Sequence, residues 1–337
     1  MHILIVKLSS LGDVLHNLPV VWDVRAHFPE ARVDWVVEEG YVDLLEPLRT
    51  REGFRGIDQI IPIALRRWKK GLFKGETWTE LGVCRERLRQ TPYDLVIETQ
   101  GLIKSALVTR MAGRAPGAVI AGLANRTDYS GYEPLSRQFY NRCVQVPRQC
   151  HAVDRSRRVA AAAMGLPAPE RGVSAPRFYP EGGLPTPPAQ YAELGPYVLC
   201  FHATARDAKR WADENWVILG RDLAQRGLKL LFPWGNAVER AVSERLAARI
   251  PGAGVPAAFS LKDAFGIVAG ARMTLGVDTG LTHLSAVLGK PTVELYCDSP
   301  RWKTEGYWSP AIRNLGDLGT PPDVAEVLAA ARELLEL

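Results

Sequence analysis

Short β-branched runs recur through this chain with helical patterns between them, and no other feature restricts the fold as much. The first set is HILIVKL (2 to 8), RVDWVVE (32 to 38), QIIPIA (59 to 64), DLVIET (94 to 99) and AVIAGL (118 to 123). Such runs, alternating with helix-length segments, read as parallel strands covered on both faces. Alternation restarts with YVLCFHA (197 to 203), LKLLFPW (228 to 234), MTLGVD (273 to 278) and TVELYC (292 to 297), with helical patterns near 213 to 226, 236 to 250 and 281 to 289. Between the two sets lies a different composition: eight of the 24 prolines fall between Pro167 and Pro196. The pattern predicts an α/β domain over residues 1–166, a Pro-rich linker over 167–196 and a second α/β domain over 197–320. A terminal helix over 321–337, entered through Pro321, Pro322 and Asp323, is free to pack back on the first domain.

Length and composition agree with this division. A chain of 337 residues exceeds one core of ordinary size, and 47% apolar with 23% charged residues is the make-up of a globular protein, not a disordered or fibrous one. Five scattered cysteines without a C-x-x-C pair support neither a zinc site nor a disulfide framework, which fits a reducing cytoplasm. The opening apolar run is shorter than a signal sequence requires, and no segment approaches the ~18 apolar residues of a membrane span. A net charge of +5 permits an anionic partner without demanding nucleic acid.

Two open α/β sheets joined by one linker are expected to bring the carboxyl ends of their strands around an interdomain cleft, the usual ligand position in such folds. Chemistry is therefore sought at strand-to-helix turns. In HILIVKLSSLGDVLHNLPVV (2 to 21) the strand stops at Lys7-Leu8-Ser9-Ser10, Gly12-Asp13 follows, and a helical pattern begins near Val14. A helix start favours an anion, and Gly12 lets the chain bend or a ligand approach. Asp13 reads equally as a helix N-cap contributing about 1 kcal/mol or as a catalytic carboxylate, and the turn alone does not choose.

The second half offers three such turns. In GVDTGLTHLSAVLGKP (276 to 291) a strand ends at Asp278, Thr279-Gly280 opens a helix, and His283 lies one turn along, able to aim a nitrogen at the same anion. In HATARDAKRW (202 to 211), Thr204 and Lys209 supply a hydroxyl and a point charge suited to phosphate. In PWGNAVER (233 to 240), Glu239 is either a first-turn helix residue or an acceptor for sugar hydroxyls. Neither a dinucleotide fingerprint nor a P-loop occurs, which weighs against hydride transfer and ATP hydrolysis. The densest basic run, LRRWKKGLFKG (65 to 75), interleaves Arg66, Arg67, Lys69, Lys70 and Lys74 with Trp68, Leu72 and Phe73. It reads as a solvated face or as a surface meeting anionic headgroups, each cation contributing about 1 kcal/mol in the second case.

In combination these motifs resemble the lipopolysaccharide heptosyltransferases, two-domain enzymes of GT-B architecture with Rossmann-like α/β/α domains. The resemblance rests on VKLSSLGDVLHNLP, DWVVEEG, ALRRWKK, QGLIKSALVTR, FYNR, HATARDAKRW, PWG and VDTGLTH, in order over nearly the whole chain. It implies inverting transfer of L-glycero-D-manno-heptose from ADP-heptose to the Kdo of Kdo2-lipid A, with a first domain that binds acceptor and a second that binds ADP-sugar. Alternatives are the sister branch acting on an already heptosylated acceptor, another ADP-sugar transferase, or a non-catalytic nucleotide-binding protein of the same fold.

By the same resemblance Asp13 is the general base. The donor site maps to Thr204, Ala205, Lys209, Glu239, Phe259, Asp278, Thr279, Gly280 and His283, and the acceptor site to Lys7, Ser10, Gly12, Arg66, Arg67, Lys69, Lys70 and Arg126. Ala205 stands where a second threonine often follows Thr204, Lys69 replaces an arginine, and Tyr132 stands where an arginine precedes Glu133-Pro134-Leu135, with Arg126 as its substitute. No metal or other cofactor is implied. The expected location is the cytoplasm of a Gram-negative bacterium, peripheral on the cytoplasmic face of the inner membrane.

Overall fold

The computed structural model describes residues 1–71, 73–172, 177–180, 184–204 and 206–336. Two compact units result, Met1–Arg171 and Gly172–Leu337, dividing inside the Pro-rich stretch.

The first unit carries six parallel strands: β1 (His2–Val6), β2 (Arg32–Glu38), β3 (Gln59–Ile63), β4 (Tyr93–Glu98), β5 (Arg114–Leu123) and β6 (Arg142–Val144), ordered β3-β2-β1-β4-β5-β6. Its helices are α1 (Leu11–Leu15), α2 (Pro19–His27), α3 (Leu65–Lys70), α4 (Gly75–Arg87), α5 (Ile103–Met111) and α6 (Ala152–Met164). β1 is buried at every residue, as a central strand under two helical layers must be, and its one polar residue, His2, has Asp34 as a partner at 2.9 Å. On one side of the sheet Leu4, Val6, Val36, Ile61 and Val96 pack with Trp68, Cys84, Ala106 and Val108. On the other, α2 and α6 lie together, and α6 stops at Gly165, whose φ of 75° is the left-handed cap geometry that glycine adopts without strain.

The second unit has five parallel strands: β7 (Tyr197–Phe201), β8 (Lys229–Leu231), β9 (Met273–Val277), β10 (Thr292–Tyr296) and β11 (Ile312–Gly316), ordered β11-β10-β9-β7-β8. Around them run α7 (Ala189–Ala192), α8 (Asp213–Gln225), α9 (Ala237–Ala247), α10 (Leu261–Gly270), α11 (Gly280–Val287) and α12 (Val324–Glu336).

The fold departs from the sequence pattern in three places. Strands β6 and β11 carry no apolar run, RCV and IRNLG, and are recognised only by the neighbour that each joins at a sheet edge. The Pro-rich stretch is anchored in places: Phe178, Tyr179 and Tyr191 are buried, and the Phe178 N–H donates to Val287 O at 2.8 Å. The terminal helix has its apolar face accounted for within its own unit, where Val327, Ala330, Ala331 and Leu334 join the core beside α8 and β10.

Candidate active site

At the end of β1 the chain turns through Lys7–Ser10 into α1, which begins at Leu11, three residues earlier than the pattern near Val14 predicts. Ser10 is the N-cap and Asp13 occupies the third helical position, so the N-cap reading of Asp13 is corrected. Its Oδ2 accepts from the Ser10 N–H at 3.2 Å and the Ser10 hydroxyl at 2.9 Å, the carboxylate half of a capping box. Its Oδ1 stands 3.8 Å from both Lys7 Nζ and Arg155 Nη2. Those two cations are 2% and 5% exposed at the side chain, whereas Asp13 keeps 40%. A half-open carboxylate thus sits against two buried positive charges.

Desolvation alone would raise the Asp13 pKa, but the charges of Lys7 and Arg155 and the Ser10 hydrogen bonds outweigh it and hold the carboxyl well below the usual carboxylate range. Neighbouring elements support the turn. The Gln100 side chain accepts from the Leu8 N–H at 2.9 Å and reaches Ser9 Oγ at 3.4 Å, and Lys104 donates to the same hydroxyl at 3.3 Å. Buried Glu98 caps the β4 turn by accepting from the Gln100 and Gly101 N–H groups and from Tyr140 Oη at 2.6 Å, which explains the tyrosine of FYNR.

Among the other acceptor candidates, Arg66, Arg67, Lys69 and Lys70 all project from α3 and are exposed. The motifs VVEEG and ALRRWKK are partners: Glu38 accepts the Arg66 N–H at 2.9 Å, and Glu39 takes two bonds from Arg67, whose third goes to Glu80. Arg67 is therefore an internally paired cation, unlike the reading of it as a bare acceptor ligand. Trp68 is 5% exposed and donates to Glu80 at 2.6 Å, so it belongs to the core and not to an apolar outer face. A cavity of about 390 Å³ opens between Glu38, Tyr41, Arg66 and Lys70. Arg126 is exposed on the loop after β5, whose shape is held by Tyr132 Oη donating to Ala124 O at 2.9 Å. Tyr132 at the position of an expected arginine thus has a structural role.

In the second unit, Asp278 follows β9 and accepts from Lys209 Nζ in a short contact, from His283 Nε2 at 3.0 Å and from Thr304 Oγ1 at 3.4 Å. His283 Nδ1 lies 2.8 Å from Glu294 Oε1. Both ring nitrogens therefore serve carboxylates inside the unit, and the expectation that His283 points one at a bound anion is corrected. Burial opposes a charge on this ring, yet Glu294 and Asp278 prevail and its pKa is pushed up to about 10. Asp278 is buried as well, but His283 and Lys209 hold it far below the ordinary range. Thr279 caps α11 with no side-chain bond to the first amides, which leaves the N–H groups beginning at Gly280 directed beyond the helix start. Thr204 lies half-buried on the β7 loop; Ala205 lies outside the described residues. Glu239 is held locally, accepting from the Gly235 N–H at 2.7 Å and from Asn236 Nδ2 at 2.7 Å in the first turn of α9. Phe259 sits half-buried just before α10.

The residues missed by sequence reading differ in how they could have been found. Glu294 and Tyr296 lie on β10, and an acidic residue within TVELYC signals a buried partner, because an unpaired carboxylate in such a strand is too costly. Arg155 had no such signal: α6 reads AVDRSRRV, and only packing separates its buried arginines from a solvated face.

Two turns have now emerged, one built around an ionised carboxylate and one around a lysine and an open helix start. The profile of glycosyltransferase family 9 (heptosyltransferase) matches residues 82–328. The chain belongs to glycosyltransferase family 9, the heptosyltransferases. This heptosyltransferase is 38% identical to lipopolysaccharide heptosyltransferase 1 of Pseudomonas aeruginosa over 88% of its length and 78% of the relative's. It is also 38% identical to the enzyme of that name from Escherichia coli K12, over 88% of each chain. The structure of the E. coli heptosyltransferase WaaC with ADP superimposes with a TM-score of 0.81 at 33% identity, covering 100% of this chain and 99% of that one. E. coli heptosyltransferase II shares the fold with a TM-score of 0.73 at 19% identity, over 100% and 99% of the two chains. The heptosyltransferase is a glycosyltransferase of GT-B fold, in which both units are Rossmann-like.

Proposed function

We propose that this enzyme moves L-glycero-D-manno-heptose from ADP-heptose to the Kdo of Kdo2-lipid A in lipopolysaccharide core biosynthesis, inverting the anomeric centre in one displacement. The observation carrying this reading is the Asp13 carboxylate: half exposed on a strand-to-helix turn, and kept ionised by Lys7 and Arg155. As an acceptor hydroxyl attacks the anomeric carbon its proton becomes acidic, and a carboxylate already free of protons takes it. A single displacement needs no covalent nucleophile.

On the donor side the bond to ADP breaks with charge gathering on the diphosphate. Lys209 supplies a positive charge, and the first amides of α11 after Thr279-Gly280 supply aligned N–H donors, so the leaving group is stabilised without a metal ion. Thr204 adds a hydroxyl, and the partly exposed Glu239 and Phe259 border the nucleoside. The acceptor is held through its anionic groups by Lys7, Arg66, Lys69, Lys70 and Arg126. Lys69, Lys70 and Lys74, together with the fully exposed Phe73 and the 61%-exposed Trp78, suit peripheral contact with the cytoplasmic leaflet of the inner membrane.

Activity on Kdo2-lipid A, and none on an acceptor that already bears heptose, is the expected result when purified enzyme is given ADP-heptose with each acceptor in the presence of a chelator. The reverse preference would assign the sister reaction. Asp13→Ala is expected to lower kcat at least ~100-fold with donor KM little changed; an unaltered rate would remove the base assignment.

A further inference from the structure

The reaction described above uses Lys209, which is paired with Asp278, and the start of α11, but leaves unexplained why a fully buried carboxylate stands directly behind them. Glu294, on β10, has no exposed surface. Its Oε1 faces His283 Nδ1 at 2.8 Å, and its Oε2 accepts from Tyr296 Oη at 2.9 Å and from the Gly306 N–H at 3.0 Å. From there the chain of contacts runs outward through His283 Nε2 to Asp278 Oδ1, and through Asp278 Oδ2 to Lys209 Nζ. Charges alternate along this line, carboxylate, imidazole, carboxylate, ammonium. Burying two carboxylates against one lysine leaves a surplus negative charge, and a protonated His283 cancels it. A neutral ring would also donate from one nitrogen only, leaving one carboxylate facing a lone pair.

We propose that Glu294 is a positioning residue for the donor: it keeps His283 as a doubly donating cation, which fixes the Asp278 carboxylate and, through it, the Lys209 ammonium that meets the diphosphate. This rests on the reading of the second unit as the ADP-sugar site. α10 and the 301–306 segment also border this line. α10, packed against α11, buries Ala264, Phe265, Ile267 and Val268, while its Asp263 is engaged with Ser260 at the helix start. The 301–306 segment sends Thr304 Oγ1 to Asp278, and its Arg301 and Glu305 pair with each other.

The test is Glu294→Gln, which keeps the length of the side chain while removing the charge. In the wild type the ring keeps its proton through neutral pH, so donor KM is expected to stay within about 2-fold from pH 6.5 to 9. In the variant His283 titrates inside that window; near pH 6.5 donor KM stays close to wild type, and by pH 9 it rises about 5- to 10-fold, with acceptor KM unchanged at both. Glu294→Asp restores a flat profile. A Glu294→Gln profile as flat as wild type overturns the proposal. Lys209→Ala separates the two readings: if it weakens donor binding while Glu294→Gln does nothing, the donor site stands and the positioning role falls; if Lys209→Ala has no effect, the donor site itself is misassigned. Should Glu294→Gln fail to fold, nitrogen-15 histidine spectra of the wild type decide, because the proposal requires both ring nitrogens of His283 to be protonated at pH 8, and a neutral ring there refutes it.

Discussion

Asp13 meets two demands that pull in opposite directions. As a general base it should bind a proton readily, yet Lys7 and Arg155 stand close enough to keep it a carboxylate far into acid. The depressed pKa means that the base is fully available at neutral pH and that its protonation does not limit turnover until well below the ordinary carboxylate range. Replacing Arg155 by Met removes one of the two charges, so the carboxyl pKa rises and the acid limb of kcat/KM moves upward in pH. Arg155→Lys, which keeps the charge, should move it less. Rates measured from pH 8 down to the acid limit at which each variant stays folded check the order wild type, Lys, Met; an acid limb that does not shift in the Met variant would show that Arg155 is not felt at Asp13. Because Arg155 Nη1 also donates to Thr127 Oγ1 at 3.0 Å, the Met variant should lose about 3 kcal/mol of stability as well, read from denaturant melts.

Elements hold these side chains where single residues could not. β9 runs under the first turn of α11 so closely that a Cβ at Gly276 would lie 2.0 Å from Thr282 Oγ1 and 3.0 Å from Phe201 Cβ. Thr282 uses that closeness to donate to Val277 O at 2.9 Å, which locks the strand end to the helix that opens at Gly280. Gly276→Ala is therefore expected to destabilise by about 1–3 kcal/mol and to raise donor KM, measured by melts and initial rates. At α3 the outcome should be different in kind. Arg67 is tied to Glu39 and Glu80, whereas Lys69 and Lys70 have exposed ammonium groups on the same short helix. Changing both lysines to Ala should raise acceptor KM several-fold and flatten its dependence on salt, with kcat and donor KM held; identical salt profiles would argue against contact between this helix and the anionic acceptor.

At the scale of the molecule, each unit has its own sheet and its own buried core, and every donor group named above belongs to the second. ADP alone should therefore raise the melting midpoint, by the equivalent of about 2.7 kcal/mol at a hundredfold excess over Kd. That gain should survive in Asp13→Ala and be lost in Lys209→Ala, as scanning fluorimetry with and without ADP would report. Much of this organisation is written in the chain. Two series of apolar runs separated by helical segments admit little besides two parallel sheets, since strands buried on both faces are apolar at most positions. The turns after β1, β7 and β9 were legible for the same reason: an apolar strand that gives way to a short polar segment before a helical pattern places polar groups at a strand's carboxyl end. Short-range pattern cannot show what arrives from elsewhere in the chain. Edge strands β6 and β11 are strands because a neighbour offers them hydrogen bonds, not because RCV or IRNLG prefer that state. Asp13 is a strongly ionised carboxylate because α6 brings Arg155 to it from 142 positions away, a separation visible only once the helix is packed. The same holds for the line from Lys209 to Glu294, where four residues on different elements become one charged unit. Sequence sets what each segment can form, since backbone preference and burial act locally, while the strength of a charge depends on distance and dielectric, which exist only after folding.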